Sequence, residues 1–316
     1  MRKIFITVML IMSGTLLNGQ NGKLSGLVFY EFSHELDNTD AVNNEFEMQR
    51  VYLTFDKELS PTLSYQFQTD VARNQVLDRL LDVYLKKAKV DWTIPLGTFT
   101  LGLQGMNVFN VQEKTWGHRY LEKSTMDRNK FCSSTGMGIG YARSLGEKLY
   151  INAMVTNGTG FKAPEDDVYK KVSAQLVWGE RNLSSRNGFN IGGVMSYEPM
   201  EEADGSTGNT SVIGLLGGWA TERLRAGAEF DLQTVSEEAD DIQIMSGYVT
   251  YGFNTKLAAL IRLDQLTEGA EAATYGIIGV SIIPEKGLRI TPNVRYLKAG
   301  DQEAVITLKA NLEFKI

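Results

Sequence analysis

Two histidines, one cysteine and a crowd of basic side chains carry most of the chemistry this 316-residue sequence could offer. His118 lies near Ser124, Ser133 and Ser134, while His34 ends an alternating segment. A serine–histidine–carboxylate triad is defined by hydrogen-bond reach, and sequence spacing does not establish that reach. With Cys132 as the lone cysteine, a typical structural zinc site and an intrachain disulfide framework are both excluded. Gly136, Gly138 and Gly140 lack the strand–turn–helix context of a nucleotide motif and read as the small face of a strand. No catalytic residue, metal or cofactor is therefore expected.

The basic residues suggest electrostatic work instead. Lys114, His118, Arg119, Lys123, Arg128 and Lys130 fall between Met106 and Ser134, with Glu113, Glu122 and Asp127 available to pair with some of them. This segment is too long for a connector and too rich in aromatics for a disordered linker. Ordered loops beyond roughly 12–15 residues usually have a function. Folded into a wide β-barrel, such a loop narrows the lumen, which makes these six residues candidates for a constriction with ion selectivity.

The elements that would hold such a loop show in the period-2 pattern. Ile306, Leu308, Ala310, Leu312, Phe314 and Ile316 alternate with Thr307, Lys309, Asn311, Glu313 and Lys315. Leu63, Tyr65, Phe67 and Val71 oppose Ser64, Gln66, Gln68 and Asp70, and Leu224, Ala226, Ala228, Phe230 and Leu232 oppose Arg225, Glu229, Asp231 and Gln233. Strands are expected near 23–34, 45–57, 62–71, 80–92, 98–106, 135–144, 148–156, 171–180, 188–197, 210–221, 224–234, 243–253, 256–265, 273–283, 287–297 and 304–316. That even count suits a single-chain transmembrane antiparallel barrel of about 16 strands. Connections after even-numbered strands are tight, as in Leu59-Ser60-Pro61 and Pro284-Glu285-Lys286, whereas those after odd-numbered strands are usually longer and polar. A soluble sandwich, the rival all-β reading, has no reason to sort its loops by parity. By alternation Arg225, Arg262, Arg289, Arg295 and Lys309 face the lumen. Tyr30, Phe32, Trp92, Trp178, Tyr197 and Tyr296 are candidates for interfacial girdles.

Compartment follows from the N-terminus. Met1-Arg2-Lys3, the apolar run Ile4 to Met12 and the small polar stretch Ser13 to Gln20 form a secretory signal peptide over 1–19. Its apolar run is too short to span a bilayer. The segment 20–316 is then the barrel, carrying the inward-folding loop near 106–134. A mean hydropathy of -0.18 is compatible, because lipid-facing and lumen-facing residues average out. The net charge of -6 argues against nucleic acid.

Gln104-Gly105, Trp116, Arg119, Glu122-Lys123 and Met126-Asp127-Arg128 resemble the third-loop region of the phosphate-selective porin O/P family. Gly136, Gly138 and Gly140, and the turn Asn157-Gly158-Thr159-Gly160, are similar to it too. The resemblance covers most of the chain as architecture, with its specific motifs between residues 50 and 160. It implies a sixteen-stranded barrel, often trimeric, in the outer membrane of a Gram-negative-type bacterium, passing small hydrophilic or anionic solutes by diffusion. No dense arginine ladder is evident and the chain is acidic overall, so phosphate is not assigned as the solute. A non-conducting structural or adhesive barrel, binding a partner through its external loops, is the alternative. In either case outer-membrane lipids surround the wall.

Overall fold

The computed structural model describes residues 22–36, 38, 43–73, 81–162, 164–165, 167–201, 207–236 and 240–316. The expected signal peptide lies outside these described residues. Sixteen strands form one closed antiparallel barrel: β1 (Gly22–Glu35), β2 (Phe46–Ser60), β3 (Leu63–Arg73), β4 (Leu81–Ile94), β5 (Gly97–Gly105), β6 (Thr135–Leu145), β7 (Leu149–Thr156), β8 (Lys171–Gly179), β9 (Gly188–Glu201), β10 (Thr207–Ala220), β11 (Leu224–Val235), β12 (Ile242–Gly252), β13 (Leu257–Glu268), β14 (Glu271–Glu285), β15 (Leu288–Ala299) and β16 (Val305–Lys315). Each strand pairs with its sequence neighbours, and β1 closes on β16. At the seam, Gly26 and Ile316 exchange backbone hydrogen bonds of 3.2 and 2.9 Å. Closure matters because hydrocarbon offers no partner to an unpaired strand edge.

The alternation seen in the sequence becomes an inside and an outside. Outward positions carry exposed Leu53, Leu101, Ile139, Leu176, Met195, Ile213, Leu263 and Ile278, an inversion of the usual soluble core. Aromatics cluster toward both ends of this apolar band. Trp92, Trp178, Phe189, Trp219 and Tyr251 lie toward the short-turn end, and Tyr30, Tyr197 and Tyr296 toward the other; all are exposed. They fit the interfacial girdles of a membrane barrel.

Loop parity holds with two departures. The connection between β13 and β14 is short on the long-loop side, and the one between β8 and β9 is extended on the short-turn side. The latter tucks inward: Leu183 is buried and Ser184 N donates to the Lys114 carbonyl at 3.0 Å. Two short helices, α1 (Asn110–Trp116) and α2 (Thr125–Arg128), structure the long connection between β5 and β6. Gly117 ends α1 with a φ of 70°, a left-handed cap that glycine adopts without strain.

A candidate pore constriction

The segment 106–134 runs inside the barrel, and its apolar residues supply what core the molecule has. Met106, Val108, Phe109, Met126 and Phe131 pack with the inward-facing Met154, Val194, Val212 and Ile244. Trp116, Tyr120 and Leu121 pack with Phe29, Tyr248, Leu260, Tyr275 and Ile277. Three glycines on the inner face of β6 make room for this. A Cβ on Gly136 would lie 2.9 Å from Met106 Sδ, and one on Gly140 2.7 Å from Gln104 Oε1.

Polar side chains of the wall then fasten the loop along most of the circumference. Asn107 Nδ2 donates to Asn152 Oδ1 at 3.0 Å, and Ser173 Oγ donates to Asn107 Oδ1 at 2.6 Å. Thr125 Oγ1 lies 2.9 Å from Glu229 and 2.6 Å from Asp231. Arg262 pairs with Asp264 at 2.8 Å and donates to the Lys123 carbonyl at 2.6 Å. Arg295 donates to Glu122 at 2.9 Å and to the Leu121 carbonyl at 2.6 Å. Glu31 accepts from Lys309, and from Asn311 at 2.7 Å. Asn311 also reaches the Tyr120 carbonyl at 3.4 Å.

The five basic residues expected on the lumen wall all point inward, but not all meet water. Arg262 and Arg295 are only 1% and 8% exposed, so they hold the loop and cannot line a hydrated passage. Arg225 donates to the Trp116 carbonyl at 3.0 Å. Arg289 pairs with Glu313 at 3.5 Å and lies over the Tyr120 ring, and Lys309 pairs with Glu31. Alternation could give the direction of these side chains. It could not reveal that the loop covers them.

The candidates on the loop divide in two. His118 is turned to the wall, where its Nε2 lies 2.8 Å from Arg225 Nη2 and 2.9 Å from Thr250 Oγ1. A guanidinium only donates, so Nε2 must be the acceptor of a neutral imidazole. Burial first, and then the charges of Arg225 and Arg289, hold its pKa well below the ordinary histidine range. None of Ser124, Ser133 and Ser134 hydrogen-bonds to it among the described residues. Arg128 stacks 3.5 Å over the Tyr275 ring, also against the wall. Lys130 is exposed, with a φ of 63° at the end of α2. Lys114, Arg119 and Lys123 remain on the face of the loop turned away from its anchors. Arg119 is clamped by Glu113 at 2.9 Å and Asp127 at 3.3 Å, and Lys123 lies 3.9 Å from Asp127.

Opposite that face stands the wall from β2 to β5, which the loop touches at Tyr52 and, through Ser134, at Lys86. Arg50 pairs with the buried Asp70 at 2.9 Å, and Lys89 pairs with Asp91. The charge of Arg119 acts on both Tyr52 and Lys86, that of Arg50 on Lys123, and those of Glu113 and Lys114 on Lys87. Loop and wall therefore share one electrostatic field. Toward the short-turn end the space opens into cavities of ≈ 620 and ≈ 580 Å³ that share Ser64 and Asp91.

Lys86 and Lys87 were missed by alternation because a β-bulge turns both of them inward. Gln68 pairs with Lys87 and Thr69 with Leu85, leaving Lys86 as the extra residue. Lys86 Nζ donates to Ser134 Oγ at 2.5 Å and lies 3.8 Å from the centre of the Phe161 ring. The sequence does hold a trace of the bulge. Leu81, Val83 and Leu85 keep one phase, and Ala88 and Val90 resume in the other, with the slip at Lys86-Lys87.

Comparison with known proteins agrees with this architecture. The model of the family described as phosphate-selective porin O and P matches residues 23–258, which include the long loop and the wall from β2 to β5. No curated protein matches the chain. Among solved structures, the anion-selective porin from Comamonas acidovorans is similar with a TM-score of 0.70 and 11% identity, over 93% of this chain and 99% of that one. OmpF of Salmonella typhi, solved with daunomycin, gives 0.70 and 13%, over 95% and 99%. In vitro folded OmpT of Vibrio cholerae, in a trimer form, gives 0.65 and 14%, over 93% and 99%.

Proposed function

The chain belongs to the phosphate-selective porin O and P family and is a passive channel of a Gram-negative outer membrane, and on that premise we propose that it favours small anions at an opening between the loop and β2–β4. Lys114, Arg119 and Lys123 form one side of this opening. Arg50, Lys87 and Lys89 form the other, while Lys86, only 7% exposed, is buried against Ser134. Three of these charges are neutralised in place: Arg50 by Asp70, Lys89 by Asp91, and Arg119 by Glu113 and Asp127. One observation carries the proposal. Lys114 is exposed on the loop and Lys87 points inward from β4, and neither has an ion-pair partner among the described residues. Rings of charge select ions when one sign dominates, and here the unneutralised charge is positive. His118 and Arg128 take no part, since both are turned to the wall.

The test is reversal potential across a salt gradient in planar bilayers. Wild type should favour chloride over potassium, and Lys87→Gln with Lys114→Gln should bring the ratio close to one. An unchanged ratio in the double variant would remove the lysines from selectivity. The fold likeness to the trimer form of OmpT supports a homotrimer as the assembled state, and native mass measurement in detergent reads it directly.

A further inference from the structure

The outer wall is not uniform. Where β6 to β10 face lipid, a groove of ≈ 460 Å³ is cut into the apolar surface. Its floor is made of small residues: Ala153 pairs with Ala174, and Gly193 lies beside them on the register Leu176–Gly193–Leu215. Its banks are Tyr141, Ile151, Met195 and Ile213. Tyr141 is held in place, with its hydroxyl donating to the Leu96 carbonyl at 2.5 Å and its ring 5.0 Å from that of Phe99.

Arg143 lies on β6 beyond the groove's Tyr141 bank, toward the short turns, and is not itself part of the groove lining. Asn152, which pairs with Ala142, points into the barrel, where it accepts from Asn107. Arg143, paired with Ile151, must therefore point outward, on the same face as Tyr141. It lies about 7 Å beyond Tyr141 along the strand, at the strand rise per residue, next to the turn at Gly146. It makes no ion pair or hydrogen bond among the described residues. An outward guanidinium at the edge of the hydrocarbon, about 7 Å along the strand from the bank of an apolar groove, is complementary to a phosphodiester bearing acyl chains. Arginine binds phosphate through two parallel N–H groups, and small residues let a chain approach the backbone closely.

We propose that this groove binds one anionic phospholipid of the leaflet on the short-turn side, with its phosphate on Arg143 and an acyl chain over Ala153, Ala174 and Gly193. The homotrimer interface then lies on another part of the wall. Purified porin in detergent, titrated with phosphatidylglycerol and followed by native mass spectrometry, tests this. One lipid should persist on the wild type, and Arg143→Gln and Ala174→Leu should each lower its retention at least tenfold while leaving single-channel conductance unchanged. A diacylglycerol, which has the chains without the phosphate, should bind wild type as weakly as phosphatidylglycerol binds Arg143→Gln. Equal retention by both conducting variants and wild type overturns the proposal. So does cross-linking between protomers through Ala174→Cys, because a second copy would then fill the groove.

Discussion

Replacing Arg295 with Met should release the middle of the inward loop without opening the barrel. Arg295 joins β15 to the loop through Glu122 at 2.9 Å and the Leu121 carbonyl at 2.6 Å, and to β1 through Glu31 at 3.4 Å. Methionine keeps much of the volume but leaves Glu122 with Tyr275 at 2.7 Å and its neighbouring backbone N–H at 2.9 Å as remaining partners. Breaking a buried pair by removing one member costs about 3–5 kcal/mol. Glu122 keeps some access to water, with 14% side-chain exposure, so the lower end, about 3 kcal/mol, applies. At about 1.4 kcal/mol per decade, the undocked population of Tyr120–Lys123 should rise roughly a hundredfold. A cysteine placed at buried Leu121 in a Cys132→Ser background reports this as its maleimide labelling rate, which follows the open population when reclosing is fast. Open-channel noise should grow in parallel, while the folded barrel's gel mobility stays unchanged. Adding Glu122→Gln should cost less than the sum of the two single changes, because the residues touch. A labelling rate within threefold of the parent, with quiet single-channel currents, would refute the anchoring role.

Other outcomes follow from the same contacts. Gly138→Ala should impair folding by about 1–3 kcal/mol of overpacking, since its Cβ would meet the Val155 carbonyl oxygen at 2.1 Å. Gly247→Ala, with nothing within 4 Å, should fold as wild type; urea titration of the folded barrel compares the two. His118 is held neutral by burial and by Arg225 and Arg289, so its stabilisation is complete above the unfolded value near 6.5 and is lost as pH falls below it. Urea midpoints should therefore drop from pH 7 to pH 5 more steeply in wild type than in His118→Asn; equal slopes would dismiss the histidine as the source.

The sixteen strands could be read from the sequence because each carries its own period-2 record, and the lumen-facing direction of Arg225, Arg262 and Arg295 came with it. The loop's presence was legible from its length and aromatics. Its docking side was not, because the contacts that choose it, such as Arg262 to the Lys123 carbonyl, join residues far apart in the chain. His118 illustrates the cost: its residue type suggested exposure to the passage, while its partner Thr250 lies on β12. The basic wall was obscured by a bulge one residue long. A phase slip is faint in sequence, yet it puts two consecutive lysines on the same face.

Glu31 has a bearing on how the channel matures. Its carboxylate, on the first strand, binds Lys309 and Asn311 on the last, and also Arg295, which grips the loop. The seam is therefore joined to the constriction through one side chain. Until the final strand arrives, Glu31 lacks two of its partners and the loop lacks the Asn311 contact to Tyr120. An unfinished barrel would thus carry a loosely held loop and a wider passage, and selectivity would appear only with the last step of assembly.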